Sequence, residues 1–600
     1  MSVLIAVGVM AAWGFSAGLT LAGYSDREDT FFEAAAMLVT FVLFGHWLEM
    51  KSRRGTTDAL RALLDLVPPT ANVLRDGREV EVPTADLVVG DDIVIRPGEK
   101  VAVDGEVLRG ETSIDESLVT GESVPVDKRP GDAVVGGSIN RSGTITVRAT
   151  KVGADSTLAQ IVNLVQQAQS SKAPGQRLAD RAAQYLVILA VGSGVATFSV
   201  WFWVANVSAL EALTFAIAAV VIACPDALGL ATPTAVAVGT GIGARHKVLI
   251  KDAATLERIS QVNAIVFDKT GTLTEGRPSL TDVHTTDNIT EDELLRLVAG
   301  AEYGSEHPLG RAIVNAAEAR GLALPEAHDF LALSGLGLQA TVDDRRILVG
   351  NRALMTTNNV ELGELETTAE TLAAAGKTPM FVALDGRIAG VVAVADTQRA
   401  SAAETITQLR ALGIEPVMLT GDNARTAQAI ARQLGIERVF ADVLPADKAT
   451  YIAQLQGEGK VVAMVGDGVN DAPALAQADV GIAIGAGTDV AIETARVVLM
   501  RSDPLDILRA IQLSKATVRK MKQNLVWASV YNILAIPIAA GVLYPRYGIE
   551  LRPEWAALLM SVSSIIVALN AVSLKRVERQ LADDSGLSTN FLQPQPVVGS

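Results

Sequence analysis

The chain has 600 residues, too many for one hydrophobic core, so it must divide into several domains. Its apolar fraction of 49% and mean hydropathy of +0.31 stand beside 20% charged residues, which argues against a wholly soluble protein and for membrane helices joined to sizeable soluble domains. The formal net charge of −16 argues against nucleic acid as a general partner, because phosphate binding asks for a basic face, and the one cysteine, Cys224, allows no intrachain disulfide.

Residues 2–22 are nearly uncharged and long enough to span a bilayer, without the basic leading region and cleavage site of a signal peptide. A second apolar run covers 31–50. Residues 70–150 hold short Val/Ile/Thr runs punctuated by Gly and Asp, such as Glu79-Val-Glu-Val-Pro, Asp92-Ile-Val-Ile and Thr144-Ile-Thr-Val, and predict a small β-rich domain. Further apolar runs cover 183–205 and 211–243. The latter contains Ala223-Cys-Pro-Asp-Ala, where a proline unwinds a membrane helix locally between a thiol and a carboxylate. An intramembrane acid is costly and points to function.

Residues 261–515 alternate strand-like runs (Ala264-Ile-Val-Phe, Pro416-Val-Met-Leu, Val461-Val-Ala-Met-Val, Val480-Gly-Ile-Ala-Ile) with helical stretches, the pattern of a doubly wound α/β domain. Residues 277–389 interrupt it and predict an inserted module. The last apolar runs, 523–544 and 554–573, complete six spans, and the polar end from 581 reads as a tail. Lys51, Arg53 and Arg54 follow span two, Arg245, His246 and Lys247 follow span four, and Lys515, Arg519, Lys520 and Lys522 precede span five. This bias places the segments 51–175 and 245–515 in the cytoplasm.

Three of the predicted strands end in acidic motifs: Asp268-Lys-Thr-Gly-Thr-Leu-Thr, Thr420-Gly-Asp-Asn and Gly466-Asp-Gly-Val-Asn-Asp471. Side by side in one sheet, Asp268 and Asp467 repel unless a cation joins them, and hard oxygen ligands suit Mg²⁺. One carboxylate can then attack a phosphoryl group, with Lys448 supplying further positive charge.

These residues resemble the P-type ATPase family, whose phosphorylation motif is Asp268-Lys-Thr-Gly-Thr, and the α/β domain resembles haloacid dehalogenase-like phosphotransferases. The resemblance implies a multidomain α-helical membrane protein of the cell membrane, with its main domains cytoplasmic. It divides the chain into spans one and two (1–50), a β-rich actuator domain (51–175), spans three and four (176–245), an α/β phosphorylation domain in two parts (246–276 and 390–514), an α+β nucleotide-binding domain (277–389), spans five and six (515–580) and a tail (581–600). It makes Asp268 the phosphorylated residue, gives Mg²⁺ to Asp268, Asp467 and the Thr270 carbonyl, and lines the site with Thr420, Asp422, Lys448, Asn470 and Asp471. Thr120-Gly-Glu-Ser123 matches the dephosphorylation loop, in which Glu122 positions water. Ser305-Glu-His-Pro308, Gly335-Leu-Gly337 and Gly350-Asn351 resemble the nucleotide site of the heavy-metal (type IB) branch, implying ATP contacts from Glu302, His307, Gly335, Gly337, Gly350 and Asn351.

For the transported ion, Cys224-Pro-Asp226 stands where copper pumps carry a second cysteine. One thiolate with one carboxylate leans toward a divalent ion such as Zn²⁺, Co²⁺ or Fe²⁺. Tyr531-Asn532 in span five, and Met560 and Ser564 in span six, match copper-pump signatures and make Cu(I) the favoured ion. The resemblance adds Met10, Glu49 and Asp180 on the uptake side and Glu33 on the exit side. The family carries two further spans and a soluble metal-binding domain before this point, so the chain reads as truncated or shortened, and docking of a metal-donor chaperone is in question. A membrane-tethered phosphatase without transport is the competing reading, and it leaves Cys224, Asp226 and the Thr120 loop idle.

Overall fold

A computed structural model describes residues 2–23, scattered residues between 32 and 50, and 67–582 apart from 76, 117–124, 172, 224–225, 287–288, 306, 334–335, 423, 468–470 and 486–492. The chain forms two compact units, Val262–Leu508 and the remainder, Met1–Gln261 with Arg509–Ser600.

Within Val262–Leu508, six parallel strands lie in the order Val497–Leu499, Val480–Ile484, Val462–Gly466, Ala264–Asp268, Glu415–Leu419, Arg438–Phe440. The central strands read as continuous apolar runs because helices cover both faces of a doubly wound sheet. All five residues of Ala264–Asp268 are buried. Val266, Val417, Leu419, Val462 and Met464 pack with Ile452 and Leu455 of the helix Lys448–Gly457. The non-sequential strand order puts the carboxyl end of Ala264–Asp268 between two neighbours whose following loops carry Thr420 and Asp467.

The inserted module is a six-stranded antiparallel sheet with helices Glu291–Glu302 and Pro308–Ala319. It leaves the host along Thr274–Thr285 and returns along Arg387–Gln398, and these two strands pair, Thr274 opposite Gln398. The sheet therefore draws in residues on both sides of the expected limits 277 and 389. The return strand stays extended for twelve residues, buried from Ala389 to Val394, so no turn marks position 389.

In the other unit, residues 70–151 form an antiparallel six-stranded sheet and a three-stranded one around Val73, Ile93, Val107, Ile114, Ile145 and Val147. Among the described residues, three helical segments are long and apolar enough to cross a membrane: Gln184–Val204, Ala209–Arg245 and Pro553–Glu578. Expected span one falls on the helix Ser2–Leu21 and span five on the end of the 35-residue helix Leu505–Ala539. That helix stops five residues before the expected limit 544. Gly541 there takes φ +85°, and a Cβ on it would lie 2.8 Å from Trp201, whose indole N–H donates to the Ala540 carbonyl at 2.9 Å. The segment Ala209–Arg245 is two helices, Ala209–Ile222 and Asp226–Arg245, and the unwinding expected at the cysteine–proline pair lies outside the described residues.

Candidate functional site

Parallel pairing sets Asp268 opposite Leu419 and Phe267 opposite Val465, so Thr420 and Asp467 stand at the same edge of the sheet as Asp268. The Lys448 ammonium lies 2.7 Å from Asp268 Oδ1 and 2.6 Å from Asp471 Oδ1. Asp471 is buried, and its Oδ2 has no hydrogen-bond partner among the described residues. Room for it comes from Gly466, where a Cβ would sit 2.1 Å from that oxygen. Burial, then the Asp471 charge, push the Asp268 carboxyl up to about 6 against the pull of Lys448, and Asp467 adds to the push. Burial works against the Lys448 charge, yet Asp268 and Asp471 hold the ammonium above its ordinary range.

Two carboxylates thus hold one ammonium and Asp467 adds a further negative charge to Asp268, a deficit of positive charge that fits a divalent cation. No group of three His, Cys, Asp or Glu side chains forms a metal cage among the described residues. Mg²⁺ does not need one, since it takes one or two carboxylates with water and phosphate oxygens. Thr270 (φ −75°, ψ 130°) and Gly271 (φ 74°, ψ −11°) have the central geometry of a type II turn, directly after Asp268. A Cβ at Gly271 would lie 3.7 Å from Asp467 Oδ2, which places that carboxylate over the turn. Asp422 is engaged: its Oδ2 lies 2.6 Å from the Lys269 ammonium, and its amide donates to the Thr420 hydroxyl at 3.1 Å.

Sequence reasoning missed the residues that clamp this loop. Asp396 accepts from the Thr274 hydroxyl and from the Gly276 amide at 2.9 Å, and Arg399 donates to the Gly271 carbonyl at 3.2 Å. Their signal was the polar Asp396-Thr-Gln-Arg399 closing an apolar strand.

In the inserted module, Glu302, His307, Gly337, Gly350 and Asn351 line one cavity of about 580 Å³. Gly335, Asn470, Thr120 and Glu122 lie outside the described residues. Gly337 has φ +139°, and a Cβ on it would sit 2.1 Å from the Val349 carbonyl oxygen; one on Gly350 would sit 2.2 Å from the Leu336 oxygen. The two strands approach closely only because neither residue has a side chain. His307 and Asn351 cap helices, accepting from the Leu309 and Leu354 amides at 3.2 and 3.1 Å. Burial raises the Glu302 carboxyl, opposed by a Ser305 hydrogen bond and by His307. Phe330 and Met380 give this cavity apolar walls that the sequence reading did not pick out.

In the membrane helices, Cys224, Pro225 and the side chain of Asp226 lie outside the described residues. Ala223, at the helix break, packs in a buried cluster with Met560 and Ala190, with Ile536 against it. Asn532 and Ser564 are buried nearby in sequence on the same two helices. The Tyr531 hydroxyl, Asn532 Oδ1 and the Ser563 hydroxyl are buried without hydrogen-bond partners among the described residues, a costly condition where no water can substitute. Ser563 was missed, although it adjoins the expected Ser564. Met10 is 65% exposed on its helix, Glu33 is exposed and Asp180 half-buried, while Glu49 is outside the described residues. A polar chain, also unforeseen, runs from Lys520 to Asn570 (2.8 Å), to Asn524 (2.8 Å) and to the Ala231 carbonyl of the broken helix (3.3 Å).

A phosphoryl-transfer centre on a doubly wound sheet, a separate β-rich domain and apolar helices define a class, and comparison with known proteins agrees. Residues 262–479 match the haloacid dehalogenase-like hydrolase family, and residues 65–166 match the P-type ATPase actuator domain. The chain is 47% identical over 581 residues to Copper-transporting ATPase 2 of Rhizobium meliloti (strain 1021), covering 96% of this chain and 70% of the relative. It is 48% identical over 582 residues to the Copper-exporting P-type ATPase of Staphylococcus aureus (strain MW2), covering 96% and 71%. A crystal structure of a zinc-transporting PIB-type ATPase superposes with TM-score 0.61 at 34% identity, over 95% of this chain and 94% of that one. A second crystal structure of a zinc-transporting PIB-type ATPase, in a different state, gives TM-score 0.56 at 32% identity, over 95% of each chain. The chain belongs to the P-type ATPases: it is an ATP-hydrolysing integral membrane enzyme with cytoplasmic domains, using ATP and Mg²⁺.

Proposed function

We propose that this chain exports a heavy-metal ion, Cu(I) in the first place, at the expense of ATP. The observation that carries the reading is the buried Met560 packed beside Ala223, accompanied by the oxygens of Tyr531, Asn532 and Ser563 that have no partner among the described residues. A thioether, with the Cys224 thiol next in sequence to Ala223, makes a soft site suited to a monovalent ion. The two relatives quoted above at 47–48% identity bear copper names, whereas the solved structures at 32–34% are zinc transporters. Asp226, in the place of a second cysteine, keeps a divalent cargo as the second reading. The domain division is the one expected from sequence, with the inserted sheet running from Thr274 to Gln398, and a soluble metal donor would serve as a further partner.

In this reading the ionised Asp268 carboxylate attacks the γ-phosphorus of ATP. A carboxylate–phosphorus bond forms, the bond to the ADP oxygen breaks, and ADP leaves with the electron pair. Lys448 balances charge on the transferred group. Asp268, Asp467 and the Thr270 carbonyl would hold Mg²⁺, which neutralises phosphate charge. Glu122 then positions water to hydrolyse the acyl phosphate. ATP lies in the module cavity, where the Gly337 and Gly350 strands leave space for it.

ATP hydrolysis by the purified protein across Cu(I), Zn²⁺, Co²⁺ and Fe²⁺ tests the cargo. Stimulation by Cu(I) above the others is expected, and hydrolysis indifferent to all four would sink transport in favour of a tethered phosphatase. For the cavity, Gly337→Ala is expected to destabilise the module by about 1–3 kcal/mol, because the new methyl meets backbone. ATP affinity should fall with it. Thermal unfolding with and without ATP reads both, and unchanged ATP protection in this variant would remove the strand from the nucleotide site.

A further inference from the structure

We propose that the start of the expected fifth span carries a binding site for one anionic phospholipid. A cavity of about 760 Å³ lies along the helix Leu505–Ala539, lined by Lys515, Arg519, Lys522, Val526, Trp527 and Val530. Residues 515, 519, 522, 526 and 530 recur at intervals of three and four and so share one helix face. Fifteen steps along the helix at about 1.5 Å each span roughly 22 Å, the reach of a lipid from phosphate into its upper acyl chains. Polarity changes along that face in the same order: three cations first, then Val526, Trp527 and Val530, which are 62%, 44% and 45% exposed. Tryptophan at this boundary is an interfacial anchor, and the cations stand on the side assigned to the cytoplasm.

Lys515, Arg519 and Lys522 make no ion pair or hydrogen bond among the described residues. Glu257 is the acid whose charge reaches Lys522, but its carboxylate is already taken by the Gly175 amide at 3.3 Å and is raised by burial. Burial pulls the Lys515 ammonium down, so an anion brought to it restores the charge. Arg519 and Arg576 also repel Lys520 across this end of the bundle. A soluble phosphate satisfies only the basic half of the cavity. The apolar half selects a molecule with acyl chains, and the anionic leaflet at this face supplies it.

The full chain, purified in a neutral detergent, is equilibrated with equimolar phosphatidylglycerol and phosphatidylcholine, and retained lipid is counted by native mass spectrometry. Preferential retention of one phosphatidylglycerol is expected. Arg519→Gln combined with Lys522→Gln should weaken it about thirtyfold, and Lys515→Gln alone about fivefold, with phosphatidylcholine unaffected. Equal retention of the two lipids, or unchanged phosphatidylglycerol affinity in both variants, overturns the proposal. Displacement by millimolar glycerophosphoglycerol, which has the headgroup but no chains, assigns the site to soluble anions and overturns it as well. Phosphoenzyme formation by each variant confirms that it is folded.

Discussion

The Asp268→Asn protein forms no acid-stable phosphoenzyme from γ-labelled ATP, and its hydrolysis falls by roughly 10³-fold or more, as for loss of a nucleophile. The amide keeps the shape of the side chain but has no charged oxygen to attack with. Stability moves differently. An acid raised to about 6 in the fold from 3.8 binds its proton more tightly when folded. Stability is therefore greatest below 3.8, declines as pH rises toward 6, and stays lowered above that, by about 3 kcal/mol for a shift of this size. Asparagine removes that decline, so the variant should unfold at no lower temperature than the parent at about pH 7.5. An inactive but clearly less stable protein would mean that Asp268 is held mainly by its ion pair with Lys448.

Lys448→Met should do the reverse and damage both properties. It leaves Asp268 and Asp471 buried together with no cation between them, a loss of about 3–5 kcal/mol for breaking a buried charge cluster. Phosphoenzyme formation should drop by about 10²–10³-fold, the usual effect of deleting one group that stabilises transferred charge. Lowering the pH toward about 5.5 protonates Asp268 and should recover part of the stability, while activity stays low because the nucleophile is then neutral. Unfolding temperatures at these two pH values, taken beside phosphoenzyme yields, separate the two effects. If Lys448→Met left stability unchanged at the higher pH, water would have to be screening the pair.

Much of this was legible because the central strands are buried on both faces. Continuous apolar runs such as Ala264–Phe267 announce a parallel sheet, and the motif that follows each run lands at its carboxyl edge. The glycines were expected to let backbone approach a ligand, and what Gly337 and Gly350 meet in the fold is backbone, the Val349 and Leu336 carbonyl oxygens. Contacts that depend on chain return did not read. Asp396 reaches Thr274 and Gly276 across some 120 positions of sequence, and no spacing rule links them. The Lys520–Asn570–Asn524 chain is likewise a product of helix packing. Ser563 stayed hidden because a serine in a membrane helix ordinarily bonds its own helix carbonyl, as Ser561 does to Ala557, and only burial without such a bond distinguishes it.

The pairing of Thr274 with Gln398 has a topological consequence. The two strands by which the inserted module departs and returns are hydrogen-bonded to each other, so its ends are neighbours. To the host sheet, everything between them is equivalent to one hairpin turn. Such an insert can lengthen, shrink or be exchanged without altering the path of the chain that carries Asp268, which leaves the recognition of the nucleotide free to diverge while the phosphoryl chemistry stays fixed.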